Sequence, residues 1–172
     1  MASLDEFCAL FSRCERSADH LELRSEYLED MPTSRLWQEG LPVDRSDRAT
    51  WWTPWLELIS STVASGVQIR RARIVSEPVS DYIRSEHATT WRNIAAGEQV
   101  RWLPRRNTAR LLVPANDFWV FDGLTVVTGH HDGRGNLVEI EIKEDPVEAR
   151  MYSQAFDEVW KRALHHDEYT PV

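Results

Sequence analysis

With 172 residues, 42% of them hydrophobic and 28% charged, the chain has the size and mix of one soluble globular domain. Its formal charge of −8 disfavours general adhesion to DNA, RNA or anionic membrane, and no apolar run approaches the length of a membrane span. Cys8 and Cys14, the only cysteines, share no helix face and read as reduced thiols of a cytoplasmic protein, and the acidic start MASLDEF is not a signal peptide.

In chain order, SLDEFCALFSRC predicts a short amphipathic helix. Ser3 caps it, Glu6 completes a capping box, and Phe7, Leu10 and Phe11 form its apolar side. HLELRSEYL fits either a strand or the start of a helix. MPTSRLWQEGLPVDRSDRAT has turn residues at both ends around one helical turn. TPWLELISSTVASG is a helix by its punctuation: Thr53 as cap, Pro54 as first helical residue, Gly66 as terminator, and Trp55, Ile59, Thr62 and Val63 on one face. VQIRRARIV predicts a strand, SDYIRSEHATTWRNIAAG one helix ending at Gly97, and EQVRWLP a short strand. DFWVF and LTVVT flank Asp122-Gly123, the strongest short signal for a two-residue hairpin. After the looser turn HHDGRGN, LVEIEIK alternates, with Val138, Ile140 and Ile142 inward and Glu139, Glu141 and Lys143 outward, which favours antiparallel pairing. Asp145-Pro146 opens a final helix whose apolar stripe includes Met151, Ala155, Phe156, Val159 and Trp160.

The layout is helices, strand–helix–strand, a three-stranded meander and a last helix. It predicts an α+β fold, a mixed α/β sheet with packed helices, in a single domain over 1–172. Residues 1–50 read as a helical N-terminal portion and 51–172 as the sheet-containing core.

No catalytic motif stands out. Asp117 and Asp122 bracket an aromatic strand, but alternation puts Asp117 with Trp119 and Phe121, and Asp122 with Phe118 and Val120. Carboxylates on opposite faces do not share a proton or flank one bond. Asp122 is explained by its turn, whereas Asp117 begins a buried strand and suits pairing with an arginine.

The charge is uneven. There are 18 arginines and two lysines, and residues 70–110 hold nine arginines against four acids in a chain that is otherwise acidic. Arg71 and Arg73 fall on the strand side of Val67, Ile69 and Val75, with Arg73 the deeper. A charge there must be paired, either internally with Glu77, Asp81, Glu98 or the acidic flanks, or with an anionic ligand or acidic partner segment. Arg71, Arg73, Glu77, Tyr82, Arg84, Glu86, Arg101, Arg105 and Asp117 make up the candidate binding surface. On the helix, Ile83, His87, Trp91 and Ile94 share an apolar face, and His87 reads as a core histidine. The neighbours His130-His131 and His165-His166 point oppositely when extended and match no ligand spacing, so no metal or other cofactor is expected.

Three blocks resemble an uncharacterised actinobacterial, streptomycete-type family: S-E-P-x-S-D-Y-x-R-x-E at Ser76–Glu86, G-E-x-V-R-W-L-P-R at Gly97–Arg105 and D-F-W-x-F-D at Asp117–Asp122. Further blocks fit at Leu21–Tyr27 and Val159–Tyr169. The resemblance implies a gene often found beside helix-turn-helix regulators, and it brings no enzymatic activity. More weakly, the meander followed by AFDEVWKRA is similar to half of a phospholipase D-like domain of the inactive sensory type. Active members need His-x-Lys followed four residues later by Asp. Here the second residue after each histidine is Glu22, Thr89, Asp132, Gly133, Asp167 or Glu168.

These readings lead to a non-catalytic cytoplasmic regulatory protein acting through a protein partner of the helix-turn-helix class. The alternatives are a degenerate enzyme or sensor that takes a phosphorylated or anionic small molecule in an arginine-lined pocket, with Glu77, Glu86 or Asp117 as acid or base, and nucleic-acid binding through Arg70–Arg110. The last is disfavoured by the net charge and by the lack of a known reading module.

Overall fold

In the computed structural model, which describes residues 2–25 and 44–172, seven strands form one mixed sheet. They are β1 (Ser17–Glu22), β2 (Gln68–Val75), β3 (Gln99–Pro104), β4 (Phe118–Phe121), β5 (Thr125–His131), β6 (Leu137–Lys143) and the two-residue β7 (Leu164–His165), in the order β6-β5-β4-β1-β2-β3-β7. β1, β2 and β3 run parallel, and β4, β5 and β6 form the expected antiparallel meander on the other side of β1. The chain therefore builds outward from β1 in one direction and then returns to build in the other. The crevice beside β1, at the carboxyl end of the parallel strands, is where open sheets of this kind hold their ligands.

The N-terminal portion expected to be helical supplies both α1 (Leu4–Arg13) and the sheet's middle strand β1. Asp19, His20 and Glu22 are poor strand formers. β1 forms because β2 and β4 both pair with it and because each of its charges meets a partner across the sheet. Residues 26–43 lie outside the described residues, and with them the end of HLELRSEYL and most of the turn expected over 31–50.

The helices start where their caps say. Ser3 and Glu6 exchange the two capping-box bonds at 3.1 and 2.7 Å. Thr53 caps α2 (Pro54–Ala64), accepting from Leu56 N at 3.3 Å, and the helix ends before Gly66 at φ 100°. The helix expected to run unbroken to Gly97 divides into α3 (Asp81–Thr89) and α4 (Trp91–Ala95). Thr89 and Thr90 return their hydroxyls to the Ser85 and Glu86 carbonyls there, a back-bonding that competes with the helix ladder. Gly97, at φ 99°, has no room for a side chain, since a Cβ would sit 2.9 Å from Val63 Cγ1. Asp145 caps the long α5 (Pro146–Arg162).

One sheet face packs Leu21, Ala72, Ile74, Phe118, Val120 and Val126 against Ala149, Phe156 and Val159 of α5. Fully burying each large side chain contributes roughly 1.5–3 kcal/mol. The opposite face lies under α1 and α2, where Phe11, Trp119, Phe121, Leu56 and Ile59 make an aromatic-rich core. Val138, expected inward, is exposed: it stands at the far end of β6, beside the irregularity between His130 and His131, past the rim of that core. Among the described residues, no helix is long and apolar enough to cross a membrane.

Candidate functional site

On the α1–α2 face the apolar core stops halfway along the strands, and charge takes over. His20 and Glu22 on β1 stand directly opposite Arg71 and Arg73 on β2. Arg73 reaches Glu22 at 2.5 Å and Glu86 of α3 at 2.7 Å. Arg71 reaches Glu22 at 3.2 Å and grips Glu98 with two bonds of 2.8 and 3.1 Å, and Asn93 adds a third bond to Glu98 at 2.9 Å. Glu22, Arg73 and Glu98 are all buried. So the arginines singled out on the aliphatic side of β2 are answered from inside the protein, by Glu98 and by Glu22 and Glu86.

These contacts fix the protonation states. Burial resists the ionisation of Glu22, but Arg73 and Arg71 overcome it and hold the carboxyl at about 2. Burial pulls the His20 imidazole down to about 3; Glu22 opposes this, and Arg71 and Arg73 reinforce it. Burial, with Glu86 nearby, pushes the Tyr82 hydroxyl up. A group serves as general acid or base when its pKa lies near the working pH, and neither His20 nor Glu22 does.

A cavity of about 270 Å³ opens beside this network in a crevice over the paired strands β1 and β4, closed by β5, β6 and α1. His20, stacked on Trp119 at 4.1 Å, forms part of its wall with Phe7, Leu137 and Ile140, and Glu22 and Asp117 supply carboxylates. Asp117 is buried and accepts from Leu23 N at 2.7 Å, which ties the end of β1 to the start of β4. As the alternation predicts, it lies on the face of Trp119, away from Asp122.

Asp122 does more than form a turn. It takes φ 54° before Gly123 at φ 69°, the backbone that a two-residue hairpin requires. Its carboxylate also accepts from the backbone N–H groups of Glu15, Arg16 and Ser17 at 3.0, 2.7 and 3.0 Å, and from Cys14 Sγ at 3.4 Å. Partial burial works against its charge, but these donors hold the carboxyl below its ordinary pKa. The hairpin thereby clasps the α1–β1 turn.

The remaining candidates separate. Arg105, expected at a contact surface, is exposed, and its guanidinium bonds Ser76 Oγ at 3.0 Å, the Ile74 carbonyl at 3.3 Å and the Leu23 carbonyl, bracing the strand ends. Arg101 bonds the Trp160 carbonyl at 2.8 Å and His165 at 2.9 Å and lies over the Trp160 ring. Glu77 accepts from the Tyr169 hydroxyl at 3.1 Å and pairs with the exposed Arg106 at 3.2 Å. Arg84 is exposed on α3. The core histidine His87 bonds the Tyr169 carbonyl at 3.0 Å and packs on Trp102 and His166. Among the described residues, no three His, Cys, Asp or Glu side chains converge as metal ligands.

Sequence reasoning missed Glu22 and His20 as members of the network. The available signal was His20 and Glu22 alternating with Leu21 and Leu23, which puts two polar side chains on one strand face as Arg71 and Arg73 are on β2. It also passed over Arg92, which lies buried on α4.

The fold is shared with solved structures at low identity. Nuc from Salmonella typhimurium, a phospholipase D family member, superposes with a TM-score of 0.52 at 10% identity, over 92% of this chain and 86% of that one. NucT from Helicobacter pylori gives 0.52 at 10% identity, over 94% and 89%. TrmBL2, an archaeal chromatin protein described with a novel mode of DNA binding, gives 0.52 at 11% identity, over 92% of this chain but only 48% of its own. The architecture is thus phospholipase D-like. No curated protein matches the sequence. The match that takes in nearly every element described above, residues 5–171, is to a domain of unknown function, and the chain belongs to that family, DUF6879.

Proposed function

We propose that this protein is a non-catalytic regulatory domain, a phospholipase D scaffold that works by binding another protein. The observation that carries the reading concerns the two lysines. Lys143 and Lys161 are preceded two residues earlier by Glu141 and Val159, so the chain holds no His-x-Lys pair. Asp122, the aspartate of the hairpin, has Asp117 five residues before it and Ala115 seven before it, where the catalytic pattern would place Lys and His. Its carboxylate is already filled by backbone donors.

The network supports the same reading. Arg71 and Arg73 are bound to carboxylates, and so lack the free donors a phosphate would need. Buried ion pairs of this kind add little net stability, but they hold strands in register. Among the exposed basic groups, Arg84 and Arg106 lie together within electrostatic reach of Tyr169, and Arg106, paired with Glu77, is three-quarters exposed. An acidic segment of a helix-turn-helix regulator encoded beside this gene is the partner this surface suits.

The test is co-expression with the product of the adjacent gene, followed by purification and titration. Wild type is expected to hold the partner, and Arg84→Glu with Arg106→Glu is expected to release it with an unchanged melting temperature. Salt-sensitive binding of duplex DNA in the absence of any partner, or hydrolysis of bis(p-nitrophenyl) phosphate, would overturn the proposal.

A further inference from the structure

A second cavity, of about 360 Å³, lies between the start of α2 and the α3–α4 pair, away from the β1–β4 crevice. Two of its lining side chains are buried donors with nothing to donate to. Arg92 is 6% exposed, and its Nε–H has no acceptor; among the described residues the guanidinium forms no ion pair. Trp51 is 9% exposed, and its indole N–H also has no acceptor. A buried donor left unsatisfied is costly, and a buried unpaired cation more so. Burial and the nearby Arg45 both work against the charge of Arg92.

The rest of the cavity tells what would relieve this. Trp51 and Trp55 supply flat apolar walls, and the first turn of α2, capped by Thr53, adds the positive end of an eleven-residue helix. Arg45, stacked over Trp91 at 4.5 Å, adds a second positive charge. Two carboxylates bear on the cavity, Glu86 in its lining and Glu98 on Asn93, but each is committed to an arginine. The Nε edge of a guanidinium is one that a carboxylate or phosphate takes bidentately, together with a terminal nitrogen.

We propose that this cavity is a binding site for a small organic anion, with a carboxylate or phosphate head received by Arg92 and the Trp51 indole N–H and a flat apolar body between the tryptophans. The volume suits a molecule of one or two rings and excludes a polymer. The site is independent of the partner surface proposed above and stands or falls without it.

The probes are benzoate and phenyl phosphate, with benzyl alcohol as the neutral control, followed by thermal shift and by NMR of the Arg92 Nε–H and Trp51 indole N–H resonances. At millimolar concentration one or both anions are expected to raise the melting temperature and to move both resonances, while benzyl alcohol does neither. The better of the two identifies the head group. Trp51→Phe, which deletes a single donor, should weaken binding by about tenfold. Arg92→Met should abolish it while raising the ligand-free melting temperature, because a buried charge that meets no carboxylate among the described residues, only the Trp91 ring at 5.5 Å, is gone. The proposal is overturned if neither anion moves those resonances, if benzyl alcohol binds as well as the anions, or if Arg92→Met binds as tightly as wild type. Should Arg92→Met not fold, the resonance shifts and Trp51→Phe decide the question alone.

Discussion

Under α5 the sheet presents Leu21, Phe118, Val120 and Val126, each at most 1% exposed, while the neighbouring positions of the same strands present His20, Glu22 and Trp119 to the other side. On the α5 face charge enters as one chain of pairs, in which the buried Asp19 holds Arg70 at 2.7 Å and Arg70 reaches Asp157 at 3.3 Å and lies over Phe156. On the opposite face, charge forms a branched buried network in which Glu22, Arg71, Arg73, Glu86 and Glu98 are joined. An apolar face needs only volume and shape to be stable. A buried network must satisfy every donor and acceptor, and it yields little stability in return. The contrast separates the face held by apolar packing from the face held by paired charge.

The largest effects should come from cutting either face at its centre, with different signatures. Phe156→Ala is expected to cost about 3–5 kcal/mol through the cavity it leaves, and Arg73→Ala about 3–5 kcal/mol through the carboxylates it strands. Denaturant melts of both, with Glu22→Gln added to each, separate the causes. Glu22→Gln should cost much less beside Arg73→Ala than in wild type, and should simply add to Phe156→Ala. Additivity in both backgrounds would dissolve the contrast between the faces.

Next comes pH. His20 has a folded pKa of about 3, against about 6.5 when unfolded. The unfolded chain therefore takes up a proton that the folded one refuses. The stability His20 contributes is complete above pH about 6.5 and is lost as pH falls toward 3, at about 1.4 kcal/mol per pH unit. Glu22, held at about 2, adds its loss below pH about 4.3. Stability measured across that range should thus begin to decline near pH about 6.5, and His20→Phe, which keeps an aromatic ring on Trp119, should make the decline shallower, leaving the share of His87 and His166, which burial also lowers.

Asp122→Asn, which a turn-only role would tolerate, is expected to cost about 1–2 kcal/mol, because an amide turns a donor toward one of the three backbone N–H groups. A melting temperature equal to wild type would return Asp122 to a simple turn residue. Smallest of all, Glu158→Gln on the exposed side of α5, where it pairs with Lys161 and Arg162, should leave the melting midpoint unchanged.

Local chemistry alone determined much of this protein. Ser3 with Glu6, Thr53-Pro54 and Asp145-Pro146 begin helices where the backbone donors need them, Gly66 and Gly97 end them, and Asp122-Gly123 closes the hairpin. Alternation in VQIRRARIV placed Arg71 and Arg73 on the aliphatic side of β2 and required that they be paired. What sequence alone could not supply was any relation set by register across long separations. β1 is a strand only because β2 and β4 flank it, and Glu22 meets Arg73 only because the β1–β2 register puts them opposite one another. The tertiary fold likewise tied Arg105 to the Leu23 and Ile74 carbonyls, filled Asp122 with the donors of a distant turn, and buried Arg92 and Trp51 without acceptors. Side-chain periodicity reports which face a residue takes. Which partner it meets there depends on how strands and helices pack, and that is decided by the whole core at once.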